Sequence, residues 1–145
     1  MEIRDLLNKK GNKIYTIGPD ATVFEAISKM ADHGIGALLV LEGEKLKGII
    51  SERDYLNGIA LKGRTSKETR VHEVMTKNPT TLSLSESVED CMHAMTEKRF
   101  RHLPVVENDE VKGIISIGDI VKSIIDKQKD EIEGLKGYIS GSYPG

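Results

Sequence analysis

The sequence predicts an α+β fold in which two copies of a β-α-β-β-α unit pack sheet to sheet and a long helix follows the second copy. Three observations predict it. The string KGIIS occurs twice, in LKGIISERD (46–54) and VKGIISIGD (111–119), each time with an aspartate three positions after the serine. Around it, GALLVLEGEKLKGIISERD (36–54) lies on RHLPVVENDEVKGIISIGD (101–119) at an offset of 65 without a gap, and nine of nineteen positions are identical. Within each copy a helical apolar period then gives way to short extended apolar runs, in the same order.

The elements follow in turn. KIYTI (13–17) and PTTLS (79–83) read as short opening strands. Thr22 with Glu25, and Ser87 with Asp90, mark helix starts, because a side-chain oxygen at the N-cap satisfies a free backbone N–H. Val23, Ala26, Ile27, Met30 and Ala31 then share one helical face, as do Val88, Cys91, Met92 and Met95. Two extended runs come next: ALLVL and LKGII around the turn EGEK, then HLPVV and VKGII around ENDE. Ser51 and Ser116 end the second run and serve as N-caps of another helix. Upstream, IRDLL (3–7) resembles VHEVM (71–75) at an offset of 68, so the first copy carries three extra residues near KKGNK. The copies span 1–63 and 71–126, with 64–70 as an exposed linker inside KGRTSKETR. Residues 127–145 form a helical extension and tail, with IVKSIIDKQKDEIEGL continuing the last helix. In the tail GYISGSYPG, Tyr138, Ile139 and Tyr143 are candidates to dock on another surface. The faces Val23–Met30 and Val88–Met95 carry more apolar surface than one small core needs, which points to a homodimer.

Composition narrows the function. Hydrophobic residues make up 38%, charged residues 30% and the net charge is -2, so no basic field argues for nucleic acid or anionic lipid. No apolar run is long enough to span a bilayer, MEIRDLLNKK lacks a signal-peptide core, and Cys91 has no partner. The expectation is a cytoplasmic chain without disulfides, and Cys91, on an apolar helix face, is read as a packed core thiol. His33, His72, His93 and His102 are scattered without metal-ligand spacing, so neither a metal site nor a catalytic residue is assigned.

With GIIS-x-x-D ending both copies, FRHLPVV (100–106) facing IGALLV (35–40), and VHEVMTKNP (71–79) leading into the second copy, the chain resembles a tandem pair of cystathionine β-synthase (CBS) domains. This regulatory unit is called a Bateman module, and the resemblance covers about residues 1–125. It implies two repeats related by pseudo-twofold symmetry, two clefts that hold adenosine nucleotides such as AMP, ATP or NAD, and association into a flat dimeric disc. No cofactor is required; the nucleotide is a regulatory ligand.

The residues suit such a ligand. A carboxylate accepts hydrogen bonds from both ribose hydroxyls, and a phosphate near a helix start meets free N–H groups and a serine hydroxyl. Ser116 and Asp119 supply one S-x-x-D pair, Ser51 and Asp54 the other. Capping alone accounts for one such pair, but two in register argue for two half-sites. In KRFRH (98–102) the second copy puts Arg99, Arg101 and His102 as positive charge where the first has HGIGA, with Gly36 and Ala37. The family's phosphate-contacting positions match Arg101 and His102. The first copy carries Arg53 where the second has Gly118, and Thr81 completes the candidate ligand-binding set. The Asp119 site, in the same copy as these cations, is expected to grip phosphate harder. The function expected is therefore a non-enzymatic adenylate sensor acting on an unidentified partner. A dimerisation scaffold without ligand and a nucleotide-hydrolysing enzyme are the alternatives, the latter disfavoured because no base, nucleophile or metal set stands beside the cations.

Overall fold

The computed structural model describes residues 1–11 and 13–139, with side chains through Leu135. The chain order is α1 (Ile3–Lys10), β1 (Thr16–Ile17), α2 (Val23–His33), β2 (Ala37–Glu42), β3 (Lys45–Ser51), α3 (Glu52–Tyr55), α4 (Val71–Val74), β4 (Thr76–Lys77), α5 (Val88–Lys98), β5 (His102–Glu107), β6 (Glu110–Ser116) and α6 (Ile117–Ile139). A π-helical turn, Leu56–Ala60, prolongs α3. Strands β1 to β4 form one sheet in chain order, and β5 and β6 form a second. The two hairpins are near copies: each has a two-residue turn, and each breaks register at the same place, between Val40 and Leu41 or Val105 and Val106. Asn108 and Asp109 both take positive φ, as a turn that follows the strand twist requires.

The α+β class and the sheet-to-sheet packing are as the sequence predicts. Ala37, Leu39 and Ile49 from the first sheet meet Val111 and Ile114 from the second in one apolar layer. Three local readings change. The strand expected at PTTLS contracts to a single parallel bridge, Leu82 to Val105. Residues 64–70 are not simply an exposed connector: Thr69 is buried, and the carbonyls of Ser66 and Thr69 accept from the N–H groups of Phe24 and Val23 at the start of α2. The two long apolar faces are surplus only in part, since Val23, Ala26 and Met30 belong to one core and Val88, Cys91 and Met95 to the other, while Phe24 and Met92 stay exposed. Cys91 is fully buried, and burial first, with the nearby Glu86 charge second, pushes its thiol up to about 11. Tyr138, Ile139 and Tyr143 lie outside the described side chains.

One arrangement is not visible in the repeat pattern. Helix α1 precedes the first copy but packs in the second: Ile3, Leu6 and Leu7 join Leu82, Val88, Cys91, Leu103 and Ile115. Helix α4 does the reverse, placing Val71 with Val23, Leu38, Val40 and Ile50. Backbone bonds repeat the exchange. Ile3 N–H donates to Glu86 O (2.8 Å) and Arg4 N–H to Leu84 O (3.0 Å); Val71 N–H donates to Ala21 O (2.8 Å) and His72 N–H to Pro19 O (3.0 Å). The acceptors differ by 65 in both cases (86 − 21 and 84 − 19), so the pseudo-twofold relation extends to individual hydrogen bonds.

The exchange explains the glycine of KGIIS. A Cβ at Gly48 would stand 2.5 Å from the Thr76 carbonyl oxygen and 2.9 Å from Met75 Sδ, because β4 crosses β3 there. At Gly113 the obstacle is Leu7 Cδ2 at 2.7 Å, the tip of a side chain that can rotate. Backbone paired in a sheet cannot retreat, whereas a methyl can. Gly48→Ala is therefore expected to destabilise the protein by about 1–3 kcal/mol, as overpacking does, and Gly113→Ala by distinctly less. Urea unfolding midpoints of the two variants measure the difference.

Candidate functional site

Each S-x-x-D element is a reciprocal cap. Ser51 Oγ accepts from the Asp54 N–H (3.3 Å), and Asp54 Oδ2 accepts from the Ser51 N–H (2.9 Å). Ser116 and Asp119 repeat this at 3.1 and 2.8 Å. Both carboxylates are thereby fixed at a strand-to-helix junction, each with lone pairs in reserve. The hydroxyl of Thr76 donates to the other Asp54 oxygen, Oδ1, at 3.2 Å.

The structure groups the candidates differently from their order in the chain. A cleft of about 790 Å³ is lined by Ser51, Arg53, Asp54 and Gly36 from the first copy and by Arg99, Arg101 and His102 from the second. The cations of KRFRH thus line the same cleft as the aspartate of the other copy. The expectation for Asp119 placed these cations beside it; the structure places them beside Asp54 instead, because sheet-to-sheet packing turns the start of β5 toward the end of β3. Ser116 and Asp119 stand outside this cleft, as do Ala37, buried in the inter-sheet layer, and exposed Thr81. Thr76, Pro79, Thr80, Glu52 and Phe100 line it instead. The VHEVMTKNP motif contains Thr76 and Pro79, which was the one available signal for them.

Two features hold the cleft's mouth. Arg53 reaches across to donate from Nη1 to the Arg99 carbonyl at 3.3 Å. Arg99 itself is the C-cap of α5 with φ 58°, the left-handed conformation that Gly34 takes at the end of α2. A side chain there is strained, so the chain tolerates strain to place an arginine at the cleft.

His102 lines the same cleft, in surroundings that disfavour its charged form. Burial lowers its pKa from 6.5, the Lys10 charge lowers it further, and the opposing effects of Asp119 and Glu52 are smaller. Burial and the Lys10 charge thus favour the neutral, hydrogen-bonding form of the imidazole over the cation. Asp119 is held by Lys10, whose Nζ lies 2.7 Å from Oδ2 and 2.6 Å from the Ile114 carbonyl oxygen. Burial raises the Asp119 pKa, but the Lys10 hydrogen bond, the Ser116 backbone bond and the Lys10 charge together outweigh it and keep the carboxyl below its ordinary range. Among the described residues, no three His, Cys, Asp or Glu side chains converge as a metal site, and no helix is long and apolar enough to cross a membrane.

Comparison with known proteins places these observations. The family model described as the CBS domain matches residues 3–61 and again 71–126. The CBS domain-containing protein CBSX3, mitochondrial, of Arabidopsis thaliana is 38% identical over 129 residues, covering 86% of this chain; the match spans 63% of that protein's length. The crystal structure of the CBS domain NE2398 superposes with a TM-score of 0.83 at 46% identity, covering 86% of this chain and 98% of its own. The CBS domain pair of protein MJ0100, solved with 5′-methylthioadenosine and S-adenosyl-L-methionine, superposes at 0.77 with 25% identity, over 88% of this chain and 98% of that one.

The lowered pKa of His102 has a measurable consequence. Its folded pKa lies below the unfolded value of about 6.5, so the unfolded chain binds the extra proton as pH falls through that value. Stability contributed by the neutral ring is full above about pH 6.5 and is lost progressively below it. His102→Asn is expected to flatten the fall in melting temperature between about pH 7 and 5. Parallel melting curves for the variant and the native chain would contradict this.

Proposed function

The chain belongs to the CBS-domain family, and from that premise we propose that it is a non-catalytic sensor that binds an adenosine nucleotide in the cleft at Asp54. One observation carries the reading: a capped carboxylate and a set of arginines from the opposite repeat face one cleft of about 790 Å³. That volume suits a small-molecule site. Asp54 Oδ1, engaged so far only by Thr76, has capacity for a ribose diol. Arg53, Arg99 and Arg101 suit a phosphate, and Ile49, Leu56, Met95, Phe100 and Leu103 offer apolar surface for the base. The adenosine compounds named with the MJ0100 domain pair support the class of ligand. The arginines favour an anionic member, so AMP is the first choice, with ATP and NAD presenting the same adenylate group. The signal to a regulated partner is a population shift: Arg53 already ties the repeats across the cleft, and a ligand there favours one arrangement of the two.

A homodimer is part of this reading, on a surface other than the one expected from the sequence. Along α6, Ile117, Val121, Ile124, Ile125, Ile132 and Leu135 are all exposed and share one broad face. A second copy presenting the same face would cover these residues in an isologous contact. A solution mass of twice 16.0 kDa by light scattering is expected, falling to 16.0 kDa for Val121→Asp/Ile125→Asp. A native chain of single mass at every concentration would remove the dimer.

Calorimetric titration tests the nucleotide site. A hydrogen bond to a charged group contributes about 1.5–3 kcal/mol, so Asp54→Ala is expected to weaken AMP binding at least about tenfold, and Arg101→Ala to weaken AMP more than adenosine. Added salt should likewise weaken AMP more than adenosine. AMP binding to Asp54→Ala with native affinity would sink the assignment.

A further inference from the structure

Resting on the nucleotide reading of the Asp54 cleft, we propose that Lys10 decides whether the second half-site, at Asp119, accepts a nucleotide, and that in the native chain it keeps that half-site closed. The two aspartates are equivalent by the repeat, and each receives a donor from the segment that crosses over from the other copy. For Asp54 the crossing segment is α4, which ends after one turn and leads into β4, where Thr76 donates a neutral hydroxyl. For Asp119 it is α1, which continues for eight residues as far as Lys10 before Gly11, at φ 94°, turns the chain away. The three extra residues of the first copy lie at this point. They let the helix deliver an ammonium where the other copy delivers a hydroxyl.

That ammonium competes directly with a ribose. Lys10 Nζ and the Ser116 N–H both donate to Asp119 Oδ2, and the two side chains of the ion pair are 28% and 22% exposed. A ribose diol would have to replace a charge-assisted bond with neutral ones. The lysine is also held in advance, because Ile3, Leu6 and Leu7 anchor α1 in the second core. The repeat positions that bring Arg53, Arg101 and His102 to the Asp54 cleft are also changed at this half-site. Gly118 stands where the first copy has Arg53, and Gly36 and Ala37 stand where the second has Arg101 and His102. A sequence with two matched half-sites thus folds into a protein with one open site.

Titration of the full chain with AMP reads this as stoichiometry. The native protein is expected to bind one AMP per chain. Lys10→Met and Lys10→Gln are each expected to bind two, the second lost again on adding Asp119→Ala; Lys9→Met, a neighbouring exposed lysine, stays at one. Two AMP per native chain, or one per chain in both Lys10 variants, overturns the role of Lys10 while leaving the Asp54 site intact. No binding of AMP by any of these proteins overturns the nucleotide reading and this inference with it.

Discussion

The structure depends on an exchange: each repeat's core is closed by a helix that the other repeat carries. Without Ile3, Leu6 and Leu7, the sheet of β5 and β6 would present Val105 and Ile115 to water, and without Val71 the first repeat would open over Val40 and Ile50. A three-element half of this size buries too little surface to persist alone. The exchange also fixes which end of each sheet faces which. It therefore determines that the end of β3, with Ser51 and Asp54, meets the start of β5, with Arg101 and His102. Cleft chemistry follows from core completion.

Much of the fold was legible because repetition is a strong signal. Matching KGIIS strings set the register, and the caps at Thr22, Ser51, Ser87 and Ser116 all form, since a serine or threonine before an apolar periodic run has few other local uses. The candidate site was legible as residue types but not as groupings. Asp54 and Arg101 are 47 positions apart (101 − 54), and nothing local links them. Reading along the chain pairs Arg101 with Asp119; only the packing of one sheet on the other pairs it with Asp54. The charge of His102 was a separate matter: a histidine beside two arginines looks cationic in sequence, while burial and Lys10 lower its pKa. Lys10 itself was invisible, one lysine among many until α1 is known to end beside Ile114 and Asp119.

Small departures from the repeat carry the functional asymmetry. Arg99 replaces Gly34 at a left-handed C-cap, three residues lengthen the path through KKGNK, and Gly118 replaces Arg53. Each is local, and each leaves the apolar pattern of the cores untouched. Duplication supplies the frame, and substitutions at its rims make the two halves different.

The buried interlocking of α1 and α4 bears on what a protease could accomplish. Arg64 and Lys67 lie exposed in the connecting segment, where trypsin-like enzymes cut. A single cut there would leave two fragments, each with a helix embedded in the other. Severing the backbone would convert an intramolecular contact into a bimolecular one, with only a concentration-dependent loss of stability. The connection between the halves is topological as much as covalent, so nicked protein should migrate as one particle in native conditions and separate only on denaturation.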